Sequence, residues 1–238
     1  MKQAKADALH YFLRVVYLCV GLLIMAVGVG FSIRADLGTS PISSVPYTLS
    51  LLCAPLTVGE ITILMHCVFI LIQILLLRRR YELLQLLQLP VAVVFGVLTD
   101  FGVWLTEQIP CDAYWQQWIL CLVGVVLVAV GVSIEVTAQV VTLAGEGLVL
   151  AICKAFPKLK FGTMKVAFDV TLVVIACVCG LVGLHTLAGV REGTVAAALL
   201  VGTIARRLNR PFGRFAAQVL HVPAAPGTAG AANPSSHA

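Results

Sequence analysis

Apolar positions run through this chain in long blocks. Six of them approach the roughly 20 residues that a helix needs to cross the hydrocarbon core of a bilayer: 12–33, 58–77, 90–106, 115–136, 163–184 and 189–206. Two further blocks, 41–54 and 143–156, are apolar but short, a length that suits re-entrant or interfacial half-helices. The first short block follows a break. The stretch "AVGVGFSIRADLGTSPISSVPYTLS", Ala26 to Ser50, leaves a helix through Arg34, Asp36 and Gly38 and restarts at Pro41. A broken backbone in lipid has unpaired amides and carbonyls, so it is tolerated only inside protein or beside a water-filled cavity.

The break has an echo. "AVGVGFSIRADLGT" from Ala26 aligns with "AVGVSIEVTAQVVT" from Ala129, 103 residues later, and the same offset carries Gly59 onto Gly162. Farther on, Gly96 meets Gly202 at an offset of 106, which calls for a three-residue adjustment. Each half reads as helix, break, half-helix, helix, helix. Three spans per half is odd, so the second half enters the membrane from the opposite side. Inverted repeats with interrupted helices are typical of secondary transporters, whose sites form where the broken helices meet.

Charge fixes the orientation. With the short blocks not crossing and residues 1–11 cytoplasmic, Arg78, Arg79, Arg80, Lys154, Lys158, Lys160, Arg206, Arg207, Arg210 and Arg214 all fall inside. Arg34 and Arg191 fall outside with Glu107 and Asp112. Letting both short blocks cross would carry the arginine triplet outside, against the positive-inside rule. The basic N-terminus precedes an apolar run longer than the core of a cleavable signal, so that run reads as the first span. Trp104, Trp115 and Trp118 bracket the outer loop as an interfacial aromatic belt. The expected architecture is an all-α polytopic membrane protein of six transmembrane helices plus two half-helices in an inverted 3+3 repeat. Its parts are a cytoplasmic N-terminus (1–11), a first repeat (12–108), a second repeat (115–208) and a disordered cytoplasmic tail (209–238) rich in Ala, Gly, Pro and Ser.

Composition agrees and narrows the chemistry. Of 238 residues, 60% are hydrophobic and 11% charged, whereas soluble domains carry about 25% charged residues. The net charge of +5 is sorted by membrane side and forms no basic patch interleaved with aromatics, which argues against nucleic acid. Eight cysteines are scattered with no C-x-x-C pair, so neither metal nor disulfides are expected. No H-E-x-x-H, G-x-S-x-G or Walker motif occurs, so no enzyme and no cofactor are expected.

The candidate residues sit at the breaks and inside the spans. Thr39 or Ser40 before Pro41 forms an N-cap with Pro in the first turn, and Thr39, Ser40 and Ser43 would bind a polar group at the dipole end of the half-helix. In the second half Thr142 and Glu146 take those places, with Glu146 answering Ser43. Asp169 and its repeat mate His66 are ionisable groups within spans; facing one another, they would couple transport to protons. Asp36 and Asp100 are secondary candidates. Each has a plainer reading: Arg34 and Asp36 as a surface ion pair, the hydroxyls as simple caps, Glu146 beside headgroups, Lys165 as a structural partner of Asp169. Glu60 and Glu135 read as interfacial, and Gly21, Gly28, Gly30 and Gly131 as close helix-packing positions.

"LGTSP…S" followed by a half-helix, and "REGTVAAALLVGTIARRL" with Gly193, Thr194, Gly202 and Ile204, resemble motifs of the YitT/YczE family of bacterial integral membrane proteins, over residues 12–208. Without the extra soluble domain of longer members, the chain is similar to the short YczE-type branch. The resemblance implies a bacterial plasma-membrane, multi-pass protein. "VVTLAGEG" departs from the "LG-x-x-P" pattern, so any site is asymmetric. The expected function is a secondary transporter or facilitator of a small polar solute, with a zwitterion and proton coupling as options, and with a midplane site between the half-helices. The alternatives are a non-transport membrane partner or assembly factor, and a passive channel. The expected partners are the lipid bilayer and the solute; self-association into a homo-oligomer is left open.

Overall fold

The computed structural model describes residues 2–220, with side chains from Leu9 onward. All regular structure among them is helical: α1 (Lys2–Arg34), α2 (Pro41–Leu52), α3 (Val58–Leu77), α4 (Gln88–Glu107), α5 (Tyr114–Ala138), α6 (Ala144–Ala155), α7 (Phe161–Cys179) and α8 (Glu192–Val219). Five helical stretches are long and apolar enough to cross a membrane: Leu9–Arg34, Val58–Arg80, Leu83–Glu107, Tyr114–Ala138 and Phe161–Leu184. The chain is a helical, multi-pass membrane protein. The sixth expected span, within α8, is not among the five, because its second half carries Arg206, Arg207, Arg210 and Arg214.

The two short helices have features in common. Helices α2 and α6 each have 12 residues and start 103 positions apart, at Pro41 and Ala144. Each closes on the same bond, from Cys53 N–H to Leu49 O and from Phe156 N–H to Ile152 O. Asp36 and Gln139, also 103 apart, both adopt the left-handed region, at φ 52° and 49°.

Helix directions follow from which residues touch. Gly21 of α1 lies against Gly131 of α5, and Gly28 against Gly124, so α1 and α5 are antiparallel. Gly102 of α4 meets Ala26, Thr106 meets Gly30, and the Arg34 Nε–H donates to Ile109 O, so α4 runs parallel to α1. In the same way α8 runs parallel to α5, with Gly193 on Cys121 and the Ser133 hydroxyl donating to Asn209 Oδ1 at 2.6 Å. Register is the same in both pairs: Ala26 opposes Gly102 and Ser133 opposes Asn209, each 76 apart. Gly96 lies against Gly59 and Ile63, whereas a Cβ on Gly202 would meet nothing within 4 Å.

Helix α3 is antiparallel to α4, since Thr57 and Gly59 reach Asp100 while Gln73 reaches Gln88. Helices α1 and α4 thus end, and α3 begins, on one side of the bundle, here the far face; α1 begins on the near face. Helix α2 leaves and returns on the far face, and α6 does the same on the near face.

Each half-helix docks on the other half. Helix α2 packs along α7, with Gly180 against Thr48 and Gly183 against Leu52, and α6 packs on α3. The four glycines expected at helix contacts are all at them. The expected disordered tail is corrected over its first eleven residues: α8 continues through Pro211 to Val219. Its end is held by apolar contact, Ala216 and Leu220 packing on Leu13 and Tyr17, and by the Arg14 Nε–H donating to Leu220 O at 3.2 Å. Residues 221–238 of that expectation lie outside the described residues.

Candidate functional site

The first break is built by two residues with positive φ, Asp36 and Gly38, after which the Thr39 N–H donates to Gly189 O at 3.2 Å. Ser40 is the extended N-cap residue and Pro41 opens the helix, as the sequence suggests, but the Ser40 hydroxyl does not cap: it donates to Ser43 Oγ at 3.1 Å. Ser44 folds back on Pro41 O. Thr39, Ser40, Ser43 and Ser44 are all buried. Asp36 pairs with Arg191 at 3.6 Å and not with Arg34, which is spent on Ile109 O at 2.6 Å.

The second break is capped by a residue that sequence reasoning put at the membrane surface. Glu135 is 2% exposed, and its Oε1 accepts the Leu143 N–H at 2.6 Å, one residue before α6 starts. An anion in the last turn of a helix opposes the dipole of that helix, a penalty that signals another partner. Here the partner is the positive end of α6. Two further polar residues are masked in sequence by apolar runs, Gln73 in "ILIQILLL" and Gln88 in "LLQLLQLP". The Gln73 Nε2–H donates to Gln88 Oε1 at 3.0 Å and to Ala144 O at 3.1 Å, which ties α3 and α4 to the first turn of α6.

The N-terminal ends of the half-helices meet. A Cβ placed on Gly145 would lie 2.5 Å from Ile42 Cδ1 and 3.8 Å from the Phe168 ring. Around this contact Val45, Ala144 and Leu148 close a buried apolar cluster with Phe69 and Phe168, whose rings are 5.4 Å apart. Glu146 is partly exposed in the first turn of α6, within electrostatic reach of Lys165 and Asp169; Glu135 is within reach of Glu146 and Lys165.

Asp169 and His66 are not brought together. Asp169 accepts from Lys165 Nζ at 2.9 Å, an i,i+4 pair, so the structural partner weighed from sequence is the one found. His66 is 1% exposed, donates from Nδ1 to Thr62 O at 2.8 Å and rests between Phe69 and Phe95, its Nε2 buried without a partner. Asp100 closes a seam: it accepts from the Thr57 hydroxyl and the Gly59 N–H, both at 2.7 Å, at the start of α3, where Thr57 and Glu60 form a reciprocal capping box. Asp100→Ala should lower stability by about 1–3 kcal/mol, because Gly59 N–H loses its acceptor beside a tight helix contact. Thermal unfolding in detergent measures it, and an unchanged Tm would show that water replaces the carboxylate.

A cavity opens on each face. The near one, about 280 Å³, is lined by Glu135, Thr142, Gln73, Gln88 and the Glu82–Lys154 ion pair. The far one, about 700 Å³, is lined by Arg34, Asp36, Tyr47, Thr57, Asp100 and Glu107. Three pairs of residues that line them, Ile33 and Val136, Asp36 and Gln139, and Tyr47 and Leu150, are each 103 apart in the chain. Of the expected binding residues Thr142 lines the near cavity, Asp36 and Asp100 line the far one, and Thr39, Ser40, Ser43 and Glu146 line neither. Among the described residues no group of three or more His, Cys, Asp or Glu is placed to hold a metal.

Residues 12–210 match DUF6198 along their whole length. The chain belongs to DUF6198, a family of unknown function. The DUF6198 match takes in both breaks and both short helices, and ends within α8. No curated protein and no solved structure matches this DUF6198 chain.

Proposed function

We propose that this DUF6198 chain is a secondary transporter or facilitator of a small polar solute, built as six spans and two re-entrant half-helices in an inverted 3+3 repeat. The observation that carries the reading is the meeting of two broken-helix N-termini inside the bundle, Ile42 on Gly145, with a cavity opening on either face. Half-helix ends buried in a membrane protein are the usual place for solute and ion sites. The antiparallel run of α1 and α5 supports the inversion. Helix α8 supports a sixth span: its 28 residues lie beside α5 from Cys121 to Thr137, and at 1.5 Å per residue it is about 42 Å long, more than the hydrocarbon core of about 30 Å. The cations at residues 78–80, 154–160 and 206–214 lie on the near face, which supports a cytoplasmic near face with both termini inside. A bacterial plasma-membrane location and kinship with the YitT/YczE proteins belong to this reading.

In this reading the near cavity is one access path and the far cavity the other. Thr142 and Glu135 meet the solute from α6's side, and Thr39, Ser40, Ser43 and Glu146 line the path between the cavities when it opens. The α6 dipole end is filled by Glu135, so an incoming anion finds its place taken there, while a cationic group or a proton finds a carboxylate. Glu135 takes the coupling role for which Asp169 and His66 were candidates. A zwitterion would set its ammonium on Glu135 or Glu146 and its carboxylate at the start of α2, where no side chain caps.

Purified protein in proteoliposomes, offered amino acids, betaines, polyamines and sugars with and without a pH gradient, should move one solute class, faster when the gradient is imposed. Flux that follows the solute gradient and ignores pH would make it a channel. No flux of any class, with phenotypes that survive neutralisation of Glu135 and Glu146, would make it an assembly partner.

A further inference from the structure

The start of α6 is held by two buried side chains that also line the near cavity. Glu135 Oε1 accepts the Leu143 N–H at 2.6 Å, and the Gln73 Nε2–H donates to the next carbonyl, Ala144 O, at 3.1 Å. The two residues are 2% and 1% exposed. A carbonyl can only accept, so Ala144 draws the Gln73 nitrogen toward itself and turns the Gln73 oxygen away. The second Gln73 N–H goes to Gln88 Oε1 at 3.0 Å, which leaves the Gln88 nitrogen on the outer side. Gly147 lets this amide pair approach α6: a Cβ there would lie 2.6 Å from Gln88 Nε2 and 3.1 Å from Gln73 Oε1.

This arrangement puts acceptors in excess on the cavity wall. Glu135 Oε2 and Gln73 Oε1 accept no hydrogen bond from a described residue. Gln85 Oε1 is buried with no partner among the described residues. A buried acceptor without a donor is costly, and a ligand N–H would relieve it. An anion finds little here. The cation on the wall, Lys154, is paired with Glu82 at 2.9 Å, and the Leu143 amide, an anion donor at most helix starts, already serves Glu135. Much of the remaining wall is hydrocarbon, from Leu77, Val136, Val140, Leu150 and Ala151. The volume of about 280 Å³ is at the low end for ligand pockets, about 300–1,000 Å³, so the occupant is small.

We infer that the near cavity binds a small primary amine with a hydrocarbon body, as its ammonium cation. The Glu135 carboxylate meets the ammonium, the amide oxygens on the wall are its further acceptors, and the hydrocarbon body lies on Leu77, Val136 and Val140. A primary ammonium has three donors and no acceptor, the complement of this wall. The carboxylate of an amino acid would be desolvated there without a cation, at a large cost. The inference rests on the transporter reading, whose solute it narrows to an amine cation and away from a zwitterion.

Isothermal titration calorimetry of the purified protein in detergent, with protein-free micelles as the blank, tests it. Four probes share one body: pentylamine, pentan-1-ol, pentyltrimethylammonium, and norleucine, which is pentylamine with a carboxylate on its first carbon. One pentylamine should bind per chain, about tenfold or more tightly than any of the other three, and Glu135→Gln should weaken it about tenfold or more, the scale of a lost buried charge pair. Gly147→Ala keeps the carboxylate and pushes the amide pair aside, and it should weaken pentylamine about threefold or more. Thermal unfolding and gel filtration verify that each variant is folded. Three results would overturn the inference: no pentylamine bound at millimolar concentration, any of the other probes bound as tightly, or folded variants that bind as wild type does. No flux enters the measurement. A chain that moves another solute and ignores pentylamine loses this inference and keeps the transporter reading; one that binds pentylamine and moves nothing keeps the amine site and loses transport.

Discussion

Gly28→Leu should leave no folded protein in the membrane. A Cβ at this position would lie 2.7 Å from Val128 N, 2.9 Å from Gly124 O and 2.9 Å from Leu127 Cβ. Added volume in a packed core typically costs about 1–3 kcal/mol when neighbouring side chains can shift. The neighbours here are mostly the backbone of α5, which cannot shift without lifting α1 away, so the penalty should exceed about 3 kcal/mol. The α1–α5 crossing is also the axis on which α4 and α8 are hung, so its loss removes the scaffold for both half-helices. Fluorescence-detected gel filtration of tagged variants provides the measurement. Gly162→Leu is the matched control and should elute as wild type does. A monodisperse Gly28→Leu with an unchanged Tm would mean that α1 and α5 do not cross at this glycine.

The second large effect is at Glu135. Glu135→Leu removes the acceptor of the Leu143 N–H and leaves a buried amide unpaired, a loss of about 1–3 kcal/mol. Glu135→Gln keeps an amide oxygen in the same place and should fold with a Tm near wild type. The two variants separate structure from coupling. If Glu135 carries the proton or meets the cationic group of the solute, Glu135→Gln should abolish acceleration by a pH gradient, with the driven flux falling about 100-fold or more, the scale on which positioned proton-transfer groups act. Asp169→Asn should alter that acceleration far less, because its carboxylate is committed to Lys165. Wild-type acceleration in Glu135→Gln would reduce Glu135 to a cap for α6.

Much of this fold is legible in the sequence because its signals are local. Pro41 after a glycine and a hydroxyl pair gives away the restart of α2, and the matching stretch from Ala129 gives away the copy. The i,i+4 spacing of Lys165 and Asp169 contains their ion pair. What is hidden depends on where the chain returns. Glu135 sits near the end of an apolar run, where a carboxylate ordinarily meets headgroups; only the reversal at Gln139, which brings the chain back over α5, buries it. His66 and Asp169, 103 positions apart, differ in packing: Phe95 of α4 lies against the first, and the second is taken by Lys165 of its own helix. The end of α8 is polar enough to read as a tail, and what keeps it helical is the contact with Leu13 and Tyr17, some 200 residues earlier. The cavities and the glutamine pair across α3 and α4 likewise arise from tertiary approach, which no window along the chain contains.

The exchange of half-helices has a consequence for how the protein is made. Helix α2 finds its main partner in α7, whose last residue is synthesised more than a hundred positions later. At roughly 5–20 residues per second the interval is on the order of ten seconds. During that time the buried hydroxyls of Ser40, Ser43 and Ser44 and the bare start of α2 have no bundle to enter. The docking of α2 on α7 waits for the second half, and a ribosome stalled there would present the cell with an unfinished break in the membrane: a ready mark for proteases that clear incomplete chains.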